Sequence, residues 1–319
     1  METERKTFQE DFYFHSQYGK YLYQTYAKEL PIIDYHCHLL PQEIYENKVF
    51  DSLGEIWLAH DHYKWRAMRT FGIEERYITG DAPWKEKFRK FAEILPYLVG
   101  NPLYIWCALE LKRYFGIEEP LCGENADSIY EKTREIIQRE QITPRYCMEK
   151  FKVELVCTTD DPVDSLEYHQ KMGEIPGTRI LPAFRPDKAF YCEKPGFSEY
   201  VSKLEKASGE NITNFEELLG ALEKRLIYFR KFGARVSDNG IENFAYVRMK
   251  PGQLDEVFRK ALKGEHLEER EIQGYRTAML LGLAALYHKH DYVMQLHVGT
   301  YQGANKSGER EIGVACGFD

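Results

Sequence analysis

Between residues 153 and 298, short apolar runs alternate with longer amphipathic stretches, and this alternation restricts the chain to a parallel sheet with helices packed outside it. Strands are predicted over 153–158, 178–184, 234–237 and 292–298, with helices near 197–207, 214–232, 253–263 and 268–289. Asp161-Pro162 reads as a further helix start, an acid cap followed by a first-turn proline. Upstream, residues 16–29 read as an amphipathic helix ended by Pro31, and 32–38 as a strand closed by Pro41. Residues 43–151 are almost wholly helical in pattern, with Gly80, Pro83, Pro96, Pro102, Pro120 and Pro144 at the breaks. That is too long for one crossover, so it reads as a helical insertion after the first strand. The count reaches about five barrel-type strands, whereas a closed (β/α)8 barrel needs eight. The sheet is therefore either smaller than a barrel or an incomplete one.

Composition narrows the partners. With 319 residues, 43% hydrophobic and 29% charged, there is ample material for a core. The net charge is -8 and basic residues are interleaved with acids, which argues against a nucleic-acid surface. No apolar run approaches the roughly 18 residues that span a bilayer. Residues 1–10 are polar and acidic, unlike a secretory signal. Seven cysteines without paired spacing fit reduced thiols in a cytoplasmic protein.

Three His-x-His triplets occur: His36/His38, His60/His62 and His288/His290. Residues two apart share a face on a strand but diverge on a helix, so only His36 and His38 are expected to converge on one ion. Their competing explanation is a hydrogen-bonded pair at a barrel rim. His288 and His290 suit a helix C-terminus, where imidazolium meets the dipole. His297 ends an apolar strand and reads equally as a site residue or a satisfied core histidine. Arg185, just past a strand, has the fork that grips carboxylates, or it is a surface ion pair. Asp238 follows the 234–237 strand and has a turn aspartate as its ordinary explanation. Tyr63, within the helical stretch, has burial beside Trp65 as its own. Several of these positions fall at C-terminal ends of strands, where barrel active sites are built.

The segments Ile33-Asp34-Tyr35-His36-Cys37-His38-Leu39, Asp61-His62-Tyr63-Lys64-Trp65-Arg66-Ala67-Met68-Arg69 and Gly100-Asn101-Pro102-Leu103-Tyr104 resemble those of uronate (glucuronate) isomerases. So do Thr158-Thr159-Asp160-Asp161-Pro162, Arg185-Pro186-Asp187-Lys188-Ala189-Phe190 and Val236-Ser237-Asp238. The resemblance implies a (β/α)8 TIM-type barrel of the amidohydrolase kind, one domain over 1–319 that holds a mostly helical insertion over 40–151. It implies interconversion of D-glucuronate with D-fructuronate and of D-galacturonate with D-tagaturonate, in hexuronate catabolism. His36 and His38 match the metal ligands, with zinc the expected ion, and Tyr63, Arg185, Asp238 and His297 match active-site positions. The expected partner is a small hexuronate, with no nucleic acid or membrane, and a homo-oligomer is compatible. Family members continue past residue 319 with three more strands, an Asp that serves as metal ligand and candidate base, and an Arg nearby. The expected barrel is thus truncated before its last strands, and this polypeptide expressed alone is expected to fold badly or be inactive.

Aldose–ketose isomerisation moves a proton from C2 to C1 through an enediol, so it needs an acid/base group near both carbons and a cation or donor near the oxygens. The expected roles are C6-carboxylate binding by Arg185, proton shuttling by Tyr63, and hydroxyl binding or proton transfer by Asp238 and His297. A related metal-dependent hydrolase, or a non-catalytic remnant that binds sugar acids, are the competing readings.

Overall fold

The chain lays down five parallel strands in sequence order: β1 (Ile32–Asp34), β2 (Val153–Asp160), β3 (Arg179–Phe184), β4 (Val236–Ile241) and β5 (Val293–Val298). They are seen in a computed structural model that describes residues 14–299 and 305–313. The expectation for residues 1–10 lies outside those described. β2 pairs with β3 from Leu155↔Arg179 to Asp160↔Phe184, and β4 with β5 from Val236↔Val293 to Ile241↔Val298. β3 and β4 are in register only at Phe184↔Ser237. The sheet curls into a half-barrel, far enough for Gln295 Nε2 of β5 to donate to the Tyr35 carbonyl just past β1, at 3.2 Å.

The chain divides into two compact units. One comprises residues 32–46 and 151–301 and contains the whole sheet. Its helices are amphipathic and bury one stripe each, as Phe215–Lys231 does with Leu218, Leu222, Leu226 and Phe229. Asn214 starts that helix by accepting from the Glu217 N–H at 2.9 Å. The core lies between sheet and helices: Phe184 of β3 packs edge-on against Phe229 and Tyr287. Burying one such ring is worth about 1.5–3 kcal/mol.

The second unit, residues 1–31, 47–150 and 302–318, is helical where described. Proline or a capping side chain opens most of its helices: Ser52 before Leu53–Leu58, Asp61 before His62–Thr70, Pro83 before Trp84–Ile94 and Asn101 before Pro102–Phe115. Trp57, Met68, Phe88, Phe91 and Ile129 form its core. None of the described helices is long and apolar enough to cross a membrane.

Four local expectations are corrected. The first strand stops at Asp34, so His36 and His38 lie on the irregular segment that follows it. Asp161 opens a turn instead of a helix: its Oδ1 accepts from the Val163 N–H, while its own N–H donates to Asp164 Oδ2. The helix begins later, at Glu167. β4 runs on through Ile241, so Asp238 is a strand residue and not a turn aspartate. His60-Asp61-His62 spans the break between two helices, with Asp61 as the cap.

Candidate metal centre

Strand alternation sets the facing of β4. Asn239 accepts from Tyr287 Oη at 3.0 Å and so faces the helices. Asp238 and Gly240 therefore face the concave side, where Gly240 is in register with His297. Asp238 is fully buried there. Its Oδ1 lies 2.7 Å from His297 Nδ1. Its Oδ2 lies 3.4 Å from His36 Nδ1 and accepts from Arg185 Nη1 at 3.0 Å. The imidazole rings of His36 and His297 are 4.5 Å apart between centroids.

One ligand atom from each of His36, Asp238 and His297 lies within 4.8 Å of the other two. His36 Nδ1 and Asp238 Oδ1 are buried without a hydrogen-bond partner, so the 2.7 Å approach of His297 lacks hydrogen-bond alignment. Buried polar atoms without partners are costly unless a cation or proton joins them. Two imidazole nitrogens and a carboxylate oxygen form a donor set suited to zinc and to other borderline divalent ions. The charge states agree. Burial pushes the His36 imidazole below its usual range, Asp238 opposes this, and His297 and Arg185 add to it. His36 is therefore held neutral with a lone pair free, the form a metal takes.

The backbone that carries His36 is clamped from β2. The Cys37 N–H donates to the Cys157 carbonyl at 3.1 Å, and the Cys37 carbonyl accepts from Thr159 Oγ1 at 2.8 Å. His38 packs edge-on against His36 with centroids 4.9 Å apart, beside the three-residue cluster.

Arg185 sits just past β3. Its Nε donates to Asp187 Oδ2 at 2.8 Å, so its guanidinium spans two carboxylates, Asp187 and Asp238. Burial works against the cation, but the two carboxylates outweigh it and hold its pKa above the usual. It is thus a part-buried arginine held between two carboxylates, not a surface ion pair. Of the expected positions, the structure brings together His36, Arg185, Asp238 and His297, with His38 adjoining. Tyr63 lies in the helical unit, in the first turn of His62–Thr70, where Asp61 Oδ1 accepts from its N–H at 2.9 Å. It is half exposed, not buried beside Trp65. Its ring lies 4.4 Å from that of His62, with the Arg66 guanidinium 4.7 Å from its centroid.

Sequence reasoning passed over Thr159 and Asp187. The signal for Asp187 was available, since an acid two residues after an arginine at a strand end is placed to pair with it.

A family model for glucuronate isomerase matches residues 4–319. A uronate isomerase of Clostridium perfringens is 42% identical over 317 residues, covering 99% of this chain and 68% of the relative. One of Caldanaerobacter subterraneus is 44% identical, with the same coverage. Among solved structures, a uronate isomerase from Thermotoga maritima superposes with a TM-score of 0.84 at 36% identity, covering 91% of this chain and 64% of that one. A glucuronate isomerase from Caulobacter crescentus gives 0.86 at 26% identity, covering 95% and 66%. The chain thus spans about two thirds of the length of the relatives it matches.

Proposed function

Because the chain belongs to the glucuronate isomerase family, we propose that it carries the scaffold and metal-binding side of an active site for aldose–ketose isomerisation of hexuronates. The substrates assigned are D-glucuronate and D-galacturonate, and the sheet is assigned to the (β/α)8 class. The observation that carries the site assignment is the convergence of His36, His297 and the buried Asp238, with Arg185 on the same carboxylate.

Zinc is the ion we assign to His36, Asp238 and His297, with His38 adjoining, on the strength of the donor set. When bound, it supplies a fixed positive charge that polarises a substrate carbonyl or hydroxyl. Arg185 supplies a second fixed cation, with N–H groups matched to a carboxylate. Its engagement by Asp187 and Asp238 pre-orders the fork before a sugar acid arrives. Asp238 and His297 carry the assignment of binding hydroxyls or assisting proton movement. Tyr63 carries the proton-shuttling assignment given by its match to the family motif.

The test is incubation of the purified, zinc-loaded chain with D-glucuronate in deuterated water, followed by NMR at C1 and C2. Ketose formation or deuterium wash-in assigns turnover to this chain, whereas uronate binding without exchange leaves it the scaffold and metal-binding side alone. A folded, zinc-loaded chain that neither binds D-glucuronate nor exchanges deuterium overturns the proposal. A Tyr63→Phe variant with unchanged turnover removes the Tyr63 role.

A further inference from the structure

Arg185 reaches Asp238 while its other edge is held. Asp187, two residues on, accepts from Arg185 Nε at 2.8 Å through Oδ2, and its Oδ1 accepts from the Gly240 backbone N–H at 2.9 Å. One carboxylate thus ties the arginine to β4, the strand that carries Asp238. The lack of a side chain at residue 240 makes this possible. A methyl group there would stand 2.8 Å from Asp187 Oδ2 and 3.3 Å from Arg185 Nη2. Gly240 does not adopt a positive φ. What it supplies is space, on the concave face two residues from Asp238.

We infer that Asp187 and Gly240 form a positioning pair that fixes the Arg185 guanidinium beside Asp238 and so sets the preference of the site for a carboxylate-bearing sugar. Without Asp187, the guanidinium keeps a single ion pair, to Asp238, and is free to swing about it. With a side chain at 240, Asp187 is pushed off the Gly240 N–H and carries Arg185 with it. Asp187 is not one of the three clustered donors, and Gly240 meets His297 only through the backbone ladder, so zinc affinity is the control for ion binding. The inference rests on the reading of Arg185 as the carboxylate-binding residue.

The experiment compares Asp187→Asn, Gly240→Ala and the double variant with the parent chain, all zinc-loaded. Calorimetric titration measures affinity for D-glucuronate and for D-glucose, its carboxylate-free counterpart, and a competition titration measures zinc affinity. The expected result is a loss of about tenfold or more in uronate affinity relative to glucose in each single variant, the scale of one well-oriented charged contact. Zinc affinity is unchanged. The double variant loses little more than either single one, because both act through the same contact. A general loosening of the fold would lower both sugars and zinc together, so the selectivity ratio separates positioning from damage. If Asp187→Asn does not fold, Gly240→Ala alone decides, because the atoms its methyl displaces are side-chain ends. Parent and variants with the same uronate selectivity overturn the inference. A parent that does not prefer the uronate overturns the Arg185 reading, and the inference with it.

Discussion

His297 Nδ1 and Asp238 Oδ1 lie 2.7 Å apart without the alignment of a hydrogen bond. Asp238 is fully buried, and its other oxygen already serves Arg185. A cation bound among His36, Asp238 and His297 would give Asp238 Oδ1 and His36 Nδ1 the partner that the geometry leaves missing. The three clustered donors are therefore expected to be more stable with a bound cation than without one.

Zinc is accordingly expected to raise the unfolding midpoint of the chelator-treated protein. A ligand at a hundredfold excess over its dissociation constant adds about 2.7 kcal/mol. Asp238→Asn keeps the shape but removes the anion, and is expected to lose most of that increment. Thermal unfolding of both proteins with and without zinc checks this. Equal midpoints for the parent in the two conditions would sink the metal assignment.

The clamp on Cys37 gives a second expectation. Thr159→Val removes the hydroxyl that bonds the Cys37 carbonyl at 2.8 Å while keeping the branched shape. The cost in stability should be about 1 kcal/mol, the net worth of one partly exposed hydrogen bond. Zinc affinity should fall as well, because the peptide between His36 and His38 is then held on one side only. Thr159→Ser should restore both. Denaturant unfolding together with zinc competition reads the two effects, and a Val variant that matches the parent in both would remove the clamp.

The difference between what was and was not legible in the sequence lies mostly in polar strand residues. Apolar runs such as Val153-Glu154-Leu155-Val156 announced their strands, because hydrophobic residues mark burial on either face. Ser237-Asp238-Asn239-Gly240 has the composition of a turn, yet it is the centre of β4. Its polar side chains are tolerated there because Asn239 is bonded to Tyr287 and Ser237, and Asp238 is enclosed by Arg185 and two histidines. Tertiary partners, invisible in a local window, reversed the local propensity. The same holds for His36 and His38. Their spacing was readable, but the end of β1 at Asp34 and the clamp from Thr159 depend on a strand more than a hundred residues away. That His36 meets His297 could not come from spacing at all, since a barrel-type site draws its ligands from distant strands.

Arg225 is a buried charge outside the site that bonds three backbone carbonyls. Its Nε donates to the Pro162 carbonyl at 2.7 Å, Nη2 to Asp164 at 2.8 Å and Nη1 to Ala207 at 3.0 Å. The guanidinium thereby secures the turn after β2 and the end of the helix Phe197–Ser208. Arg225→Met fills similar volume but leaves three carbonyls without donors. A loss of about 2–4 kcal/mol is expected, with Arg225→Lys intermediate because an ammonium cannot span all three. Urea unfolding measures it, and a Met variant as stable as the parent would contradict this account of the turn.

The last expectation concerns pH and the buried Asp160–Thr158–His169 set, which faces the helices and not the concave site. Thr158 Oγ1 donates to Asp160 Oδ2 at 2.7 Å and lies 2.9 Å from His169 Nε2. Burial pushes the Asp160 carboxyl from 3.8 up to about 7, against the Thr158 hydrogen bond. Burial also pushes His169 from 6.5 down to about 4. The raised acid contributes stability at low pH that is lost as pH rises through about 7. The depressed histidine contributes stability above its unfolded value that is lost as pH falls through about 4. Between about 4 and 6.5 the two oppose each other. The folded chain holds one proton on Asp160 where the unfolded chain holds one on His169, so the pair adds no slope. Asp160→Asn removes the acid and leaves the histidine acting alone. Relative to the parent, the stability of that variant should rise with pH across this window, by up to about 1.4 kcal/mol per pH unit. His169→Gln should show the reverse, falling relative to the parent as pH rises from about 4 toward 7. Urea unfolding of parent and variants across that range reads the differences directly. Parallel profiles for all three proteins would mean that neither group titrates as its burial requires.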